Sequence, residues 1–318
     1  MKNKLAIIIP AFKNDFLDKT LESLSRQSNQ NFIVYIGDDA SPYDLKSIVD
    51  EFSSKLNIVY KRFEDNLGSK SLTKQWERCI ELSNEDWVWL FSDDDLLSPS
   101  AIDSFYITLE KKPNSKFFKF FTTMIDAEGK EIDLFRDKTN IETNMISAKD
   151  FITKRLKNDR FRSYVVEYVF SRDLFERYKF VDFPLAWSSD DATWLLYAID
   201  NGGIDIIKDH IYWRLSGINI SSTNVKDDEK QKASIQYMNW LYNLNKKKNL
   251  HISKQEMLLW LFNQISPSNV KDFEKFICQL ENEFSENDLK ATWRKYKNIN
   301  QNNKIKRIIK NLFIKINT

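Results

Sequence analysis

Short apolar runs alternate with apolar stripes at helical spacing through the first two thirds of the chain. Leu5-Ala6-Ile7-Ile8-Ile9 is a continuous run closed by Pro10, the pattern of a central strand. Phe16, Leu17, Thr20, Leu21 and Leu24 then recur at helical intervals. Phe32-Ile33-Val34-Tyr35-Ile36 predicts a second strand, Leu45, Ile48, Val49 and Phe52 a helix, and Ile58-Val59-Tyr60 a third strand. After the turn at Asn66-Leu67-Gly68, a stripe of Leu72, Trp76, Cys79 and Ile80 leads into Trp87-Val88-Trp89-Leu90-Phe91. That run, rich in aromatic and β-branched residues, reads as a strand buried on both faces. The alternation predicts an α/β fold, with a mostly parallel central sheet wrapped by helices on both faces.

Beyond Ser98-Pro99, which reads as an N-cap and first helical residue, a helix is expected to run to about Lys112, where Pro113-Asn114 ends it. Phe117–Phe121 and Tyr164–Phe170 read as strands, separated by a charged segment. Asp190-Asp191 open a helix carrying Trp194, Leu195, Ala198 and Ile199, stopped by Gly202-Gly203. Ile211-Tyr212-Trp213-Arg214 is the last expected strand. From Asp227 the composition turns to Lys, Asn, Gln and Glu with Trp and Leu at helical intervals, which predicts a helical region without strands. The expected division is residues 1–221 and 222–318.

With 318 residues the chain is long enough for about two domains of roughly 150 residues each. Lys and Arg number 48 against 46 Asp and Glu, so no global field favours nucleic acid. Two cysteines, Cys79 and Cys278, give no disulfide framework, and two histidines, His210 and His251, argue against a His-rich zinc site. The run after Met1-Lys2-Asn3-Lys4 is too short for a signal peptide, and Lys13, Asn14 and Asp15 interrupt it. A cytoplasmic protein is expected.

The strand at Trp87 ends in three consecutive carboxylates, Asp93-Asp94-Asp95. Ligands of open α/β sheets sit beyond the carboxyl ends of the strands, where three like charges repel unless a cation or donor compensates them. A turn before Pro99 is an equal reading of the same residues. Further polar sites fall at successive strand ends: Pro10-Ala11-Phe12, Asp38-Asp39 and Asn66-Leu67-Gly68, with Asp190-Asp191 downstream.

This order and spacing resemble family-2 glycosyltransferases of GT-A fold over residues 4 to 221. Ile9-Pro10-Ala11-Phe12-Lys13-Asn14 has Phe where the family has Tyr, and one extra residue before Asn14. The resemblance implies an inverting transferase that moves a sugar from a nucleotide sugar, most simply a UDP-sugar, to a hydroxyl of a glycan or lipid-linked glycan. In it Phe12 would lie against the nucleobase, and Asp39 would accept from the uracil imide; the other reading of Asp39 is a turn residue. Asn66, Gly68 and Lys70 would border the phosphates or sugar, although Lys70 reads equally as a solvated lysine. Asp93 and Asp95 match the Asp-X-Asp motif that holds the ribose and a Mn²⁺ or Mg²⁺ ion, with Asp94 between them. Asp190-Asp191 match the acidic pair whose second member is the general base, although Ser188-x-x-Asp191 is also a capping-box pattern. Arg214 would close over the diphosphate with Trp213 beside it, and His210 is a candidate metal ligand.

At the C-terminus Ile305, Ile308, Ile309, Leu312, Phe313 and Ile316 make one stripe, with Lys304, Lys306, Arg307, Lys310 and Lys315 around it. A basic amphipathic helix over 304–318 is a pattern for an anionic membrane surface, which would hold the enzyme at the inner face of the cell membrane. Packing on the helical region is the alternative. Two other functional classes stay open: a sugar-phosphate nucleotidyltransferase, against which the glycine-free loop Pro10–Asn14 counts, and a non-catalytic transferase domain acting as a membrane-bound assembly partner. The segment from Asp126 to Asp159 is expected on the acceptor side.

Overall fold

The structure is a computed structural model that describes residues 5–132, 143–157, 161–217, 227–265, 284–285 and 287–298. The chain divides into two compact units, Met1–Arg155 with Asp159–Ala233, and Leu156–Asn158 with Ser234–Thr318.

The first unit is built on a nine-stranded sheet. Its first half alternates strand and helix as the apolar pattern requires: β1 (Leu5–Ala11), α1 (Leu17–Ser25), β2 (Phe32–Asp38), α2 (Leu45–Asp50), β3 (Ile58–Arg62), α3 (Leu72–Ile80) and β4 (Trp87–Leu90). Then follow β5 (Leu96–Leu97), α4 (Ala101–Lys111), β6 (Phe117–Ile125), β7 (Met145–Ile146) and α5 (Ala148–Lys157). A 3-10 turn at Val165–Glu167 leads into β8 (Tyr168–Ser171), α6 (Arg172–Tyr178), α7 (Ser189–Asn201) and β9 (Ile204–Arg214). The order across the sheet is β3-β2-β1-β4-β8-β6-β9-β5, with β7 on β9. The longest ladders, β1 with β2 and β6 with β9, are parallel, as are β2–β3 and β1–β4. Antiparallel β8 sits between β4 and β6.

Alternate side chains of β1 enter opposite layers. Leu5, Ile7 and Ile9 join Leu21 and Leu24 of α1, Val49 of α2 and Phe105 of α4 in one core. Ala6 and Ile8, also fully buried, point to the face on which α3 packs. Trp89 closes the first core by stacking on Phe120 at 4.6 Å between centroids, and its indole N–H donates to the Val166 carbonyl at 2.8 Å. On the opposite face Trp194 of α7 stacks on Tyr168 at 4.8 Å, beside Phe117 and Phe170. Each large apolar side chain so buried contributes about 1.5–3 kcal/mol, which fixes the strand ends relative to one another. A buried ion pair, Lys119 Nζ to Glu167 Oε2 at 2.8 Å, ties β6 to the turn before β8.

The second unit contains most of α8 (Asp227–Lys248), α9 (Lys254–Ile265) and a helix over residues 287–298. Met257, Leu258 and Leu261 are buried, and the Phe262 ring meets Trp293 edge-on at 6.0 Å. No strand occurs among its described residues. The 304–318 segment lies outside the described residues.

Candidate active site

After β1 the chain leaves to build β2 and β3 on one side, then returns to build β4 on the other. A crevice opens at such a switch point, beyond the carboxyl ends of the two diverging strands. The first carboxylate after β4 closes it. The backbone N–H groups of Phe12 and Lys13, just after β1, both donate to Asp93 Oδ2 at 3.0 Å. The Phe12 ring is left 37% exposed at this mouth. Pro10 and Ala11 form the end of β1 itself, with Ala11 in register with Asp38.

Asp95 is almost fully buried and holds the loop together from below. Its Oδ1 accepts the Arg214 N–H at 2.7 Å, its Oδ2 accepts the Ser92 hydroxyl at 2.6 Å, and its carbonyl accepts from Thr20 Oγ1. Asp94, half-buried, stands between. All three carboxyls are raised above the usual carboxylate range. Burial is the main cause at each. The charge of Asp93 adds to it at Asp94, which is pushed up to about 6, and the charge of Asp94 adds to it at Asp95. Among the described residues no three His, Cys, Asp or Glu side chains form a ready-made metal cage. What the loop offers is a concentration of acceptor-only oxygens. That donor set suits a hard divalent ion, which takes one or two protein carboxylates and completes its shell with phosphate oxygens and water.

The second strand end is organised around Asp39. Its Oδ1 accepts from Leu67 N at 2.8 Å and its Oδ2 from Gly68 N at 2.9 Å, while Arg78 of α3 pairs with Oδ1 at 2.5 Å. Arg78 lies with its guanidinium 3.9 Å from the centroid of the Phe63 ring. Gly68 is required by this close approach, because a Cβ there would lie 2.5 Å from Asp39 Oδ2. Neighbouring Asp38 accepts from Arg62 Nη1 at 2.7 Å and from Ser41 N at 2.8 Å. The helix after Pro42 is capped by Asp44, not by Asp39. Asn66 shapes the turn by accepting from Ser69 N, and Lys70 is exposed beyond it.

Asp190 and Asp191 occupy the first turn of α7. The capping-box reading does not hold: Ser188 adopts a left-handed conformation (φ 63°) and its side chain makes no cap hydrogen bond. Asp191 instead meets Arg155 of α5. Arg155 Nε donates to Oδ1 at 2.8 Å and to Oδ2 at 3.0 Å, and Nη2 donates to Oδ2 at 2.8 Å. Asp191 is 4% exposed, whereas Asp190 beside it is half-buried. Burial, and then the charge of Asp191, push Asp190 up to about 7 against the pull of Arg155. Tyr164 precedes the 3-10 turn that leads into β8. Its phenol, raised to about 12 chiefly by burial, feels the charges of Arg155 and Asp95 as well as those of Arg162 and Glu167. Its ring stacks on Trp213 at 4.4 Å.

Two sequence expectations need correction. Arg214 is 2% exposed, and its guanidinium is spent on the protein: Nε donates to Asp94 O at 2.8 Å, and Nη1 to Ala127 O at 2.8 Å and Asp126 O at 3.1 Å. With its face 4.5 Å from the Phe16 ring centroid, it braces the carboxylate loop instead of reaching a diphosphate. His210 lies four residues back along β9, about 13 Å from Arg214 at strand rise. It is exposed there, with Nδ1 3.1 Å from Thr123 Oγ1, and so is not brought to the carboxylates. Sequence reasoning missed Arg78 and Arg155. Both sit within ordinary helical patterns, and only their tertiary partners mark them.

Residues 6–162 match the profile of Glycosyl transferase family 2. This segment of the chain is a family-2 glycosyltransferase domain. The family segment contains the loops after β1, β2 and β4, the Asn66–Gly68 turn and Arg155; it ends before Asp190. The chain is 27% identical over 186 residues to the GalNAc(5)-diNAcBac-PP-undecaprenol beta-1,3-glucosyltransferase of Campylobacter jejuni, a match covering 56% of this chain and 54% of that one. The chain therefore spans about half the length of that curated relative. Among solved structures, TarS residues 1–349 from S. aureus in complex with UDP-GlcNAc superposes with a TM-score of 0.61. The match has 16% identity and covers 88% of this chain and 79% of that one. The mannosyltransferase PcManGT from Pyrobaculum calidifontis, in complex with GDP-Man and Mn²⁺, gives 0.51 at 11% identity, covering 93% and 85%. These likenesses establish the GT-A fold for this family member.

Proposed function

We propose that the protein is a metal-dependent inverting glycosyltransferase that uses a nucleotide sugar, of the UDP class, and an acceptor hydroxyl on a glycan or lipid-linked glycan. The observation that carries this reading is the presence of two carboxylate centres in one unit. Asp93–Asp95 lie at the switch-point crevice and Asp190–Asp191 at the start of α7. The Campylobacter relative, whose name specifies a polyprenyl-diphosphate glycan, supports the acceptor class.

In this reading Phe12 offers its exposed ring to the nucleobase, and Asp39 turns its remaining acceptor capacity to the uracil imide. Asn66, Gly68 and Lys70 border the phosphates. Asp93, Asp94 and Asp95 would hold a Mn²⁺ or Mg²⁺ ion, which when bound neutralises charge on the departing diphosphate. Arg214 keeps these carboxylates in place through Asp95 and the Asp94 carbonyl. The Asp190–Asp191 pair takes the proton of the acceptor hydroxyl as its oxygen attacks C1 and the C1–O bond to the diphosphate breaks. A base so placed contributes typically about 10²–10⁴-fold.

The basic stripe of 304–318 supports a place at the cytoplasmic face of an anionic membrane, where a lipid-linked acceptor would be presented. No helix among the described residues is long and apolar enough to cross a membrane.

Calorimetric titration with UDP, GDP and ADP, with and without Mn²⁺, tests the donor assignment. Tightest binding to UDP, weakened at least tenfold by chelator, is expected. Binding that ignores both base and metal would sink the reading.

A further inference from the structure

The stretch that leads into the acidic pair concentrates strained backbone. Seven non-glycine residues among those described have positive φ, and four of them, Lys179, Leu185, Ala186 and Ser188, fall in 179–188. A side chain disfavours that conformation, which persists only where the surroundings over-determine it. Here two helices do so. From α7, Thr193 Oγ1 accepts from Val181 N and Ser189 Oγ accepts from Phe183 N, each at 3.0 Å. From α3, Glu77 Oε1 accepts from Phe180 N at 3.0 Å, and Thr73 Oγ1 donates to Asp182 Oδ1 at 2.6 Å. The Phe180 ring meets both helices, edge-on to Trp76 of α3 at 5.3 Å and to Trp194 of α7 at 5.8 Å.

The α3 side of this grip also reaches the donor crevice. Glu77 and Phe180 are both buried, so the Phe180 amide has its acceptor out of water. The second Glu77 oxygen pairs with the exposed Lys74 ammonium at 2.8 Å. Arg78, the next residue and about 100° further around the helix, pairs with Asp39, which also accepts from the Gly68 amide. Successive residues of one helix therefore hold the Asp39 end of the crevice and the segment that opens into Asp190–Asp191.

We infer that Glu77 is a positioning residue for transfer: through the Phe180 amide it fixes the strained 179–188 segment, and so sets where Asp190 and Asp191 stand relative to the donor. This rests on the transferase reading above. Glu77 touches no reacting atom. Without it, residues 179–188 relax toward ordinary φ and carry the first turn of α7 with them. A misplacement of about 1 Å at a reacting group costs about 10²-fold in rate.

The test is UDP release from the UDP-sugar that the wild type turns over, with Mn²⁺ and with water as acceptor. It is measured on the full-length chain beside calorimetric UDP binding and amide hydrogen exchange. Glu77→Ala should lower kcat at least about tenfold, with donor KM and UDP affinity within about twofold of wild type. Amides of 183–191 should exchange at least about tenfold faster, while those of β1 and β2 keep their rates. Glu77→Gln retains the accepting oxygen and loses only the exposed Lys74 pair, so it should bring kcat back to within about threefold of wild type. Asp182→Ala, at an exposed position, removes the bond from Thr73 and should lower kcat at least about threefold with UDP affinity kept. That variant carries the test if Glu77→Ala fails to fold. A Glu77 of purely structural use would speed exchange throughout the unit and lower UDP affinity together with kcat, and that outcome overturns the proposal. So does an unchanged kcat in Glu77→Ala or Asp182→Ala, or a Gln variant as impaired as the Ala variant. A wild-type chain that neither binds UDP nor releases it would instead strike the transferase reading itself.

Discussion

Asp39 shows how the crevice is held at the scale of single residues. Two amides of the Asn66–Gly68 turn and the Arg78 guanidinium converge on its carboxylate, and only a glycine at position 68 lets them do so. Gly68→Ala should therefore displace either the turn or the carboxylate, at a cost of about 1–3 kcal/mol in stability. If Asp39 faces the nucleobase, UDP affinity should fall about tenfold as well; urea unfolding and calorimetry measure the two effects. Unchanged affinity in a destabilised variant would confine Asp39 to a structural role. The sequence made Asp39, Gly68 and the acidic runs visible, because carboxylates and glycines at strand ends have few other uses. It could not assign the partners. Ser188-x-x-Asp191 has the spacing of a capping box, yet Arg155, 36 positions away, takes the aspartate. Arg214 has the chemistry for a diphosphate and is instead consumed by backbone carbonyls. Both misreadings arise because a side chain's partner is fixed by tertiary approach.

Among elements, β9 carries the loop geometry from the far side of the sheet. Its start was hidden in the sequence: only Ile211–Arg214 reads as a strand, whereas the strand begins at Ile204, directly after the glycines that stop α7. Lys208 and Asp209 interrupt the apolar run, and Asp209 explains why they are tolerated. Ser98, Ser100 and Ser104 all donate their hydroxyls to it, at 2.6, 2.8 and 2.7 Å, as does the His210 amide. Ser98 thus serves β9 and does not cap α4, whose first residue is Ala101. Burial opposes ionisation of Asp209, but these four donors outweigh it and hold its carboxyl below the usual value. A lowered folded-state pKa stabilises above the unfolded value near 4, and that contribution is lost as pH falls through the folded value. Asp209→Asn should cost about 1–3 kcal/mol at pH 7. The deficit should shrink below pH 4, which thermal unfolding at pH 7 and pH 3 measures; an equal deficit at both would contradict it. The strands buried on both faces, β1, β2 and β4, were legible as continuous apolar runs. Two-residue strands such as β5 and β7 leave no such pattern.

For the whole molecule, the family relation fixes the fold, and the carboxylate centres define what that fold is proposed to do. The basic stripe at 304–318 adds where it would act. With five basic residues each contributing about 1 kcal/mol at an anionic surface, the full chain should co-sediment with phosphatidylserine vesicles, reversibly with salt. A chain ending at residue 303 should not. Equal sedimentation of the two would remove the tail from the account.

The most direct test of the central claim is nucleoside diphosphate release from a panel of nucleotide sugars by the purified full-length chain with Mn²⁺. Asp94→Asn serves as the control, because Asp94 is only half-buried, unlike Asp95, and among the described residues no backbone amide is tied to its side chain as Phe12 and Lys13 are to Asp93. The account predicts slow release from a UDP-sugar, stopped by chelator, restored by Mn²⁺ and at least tenfold weaker in the variant. Release from every donor alike, or release indifferent to both chelator and Asp94, would contradict it.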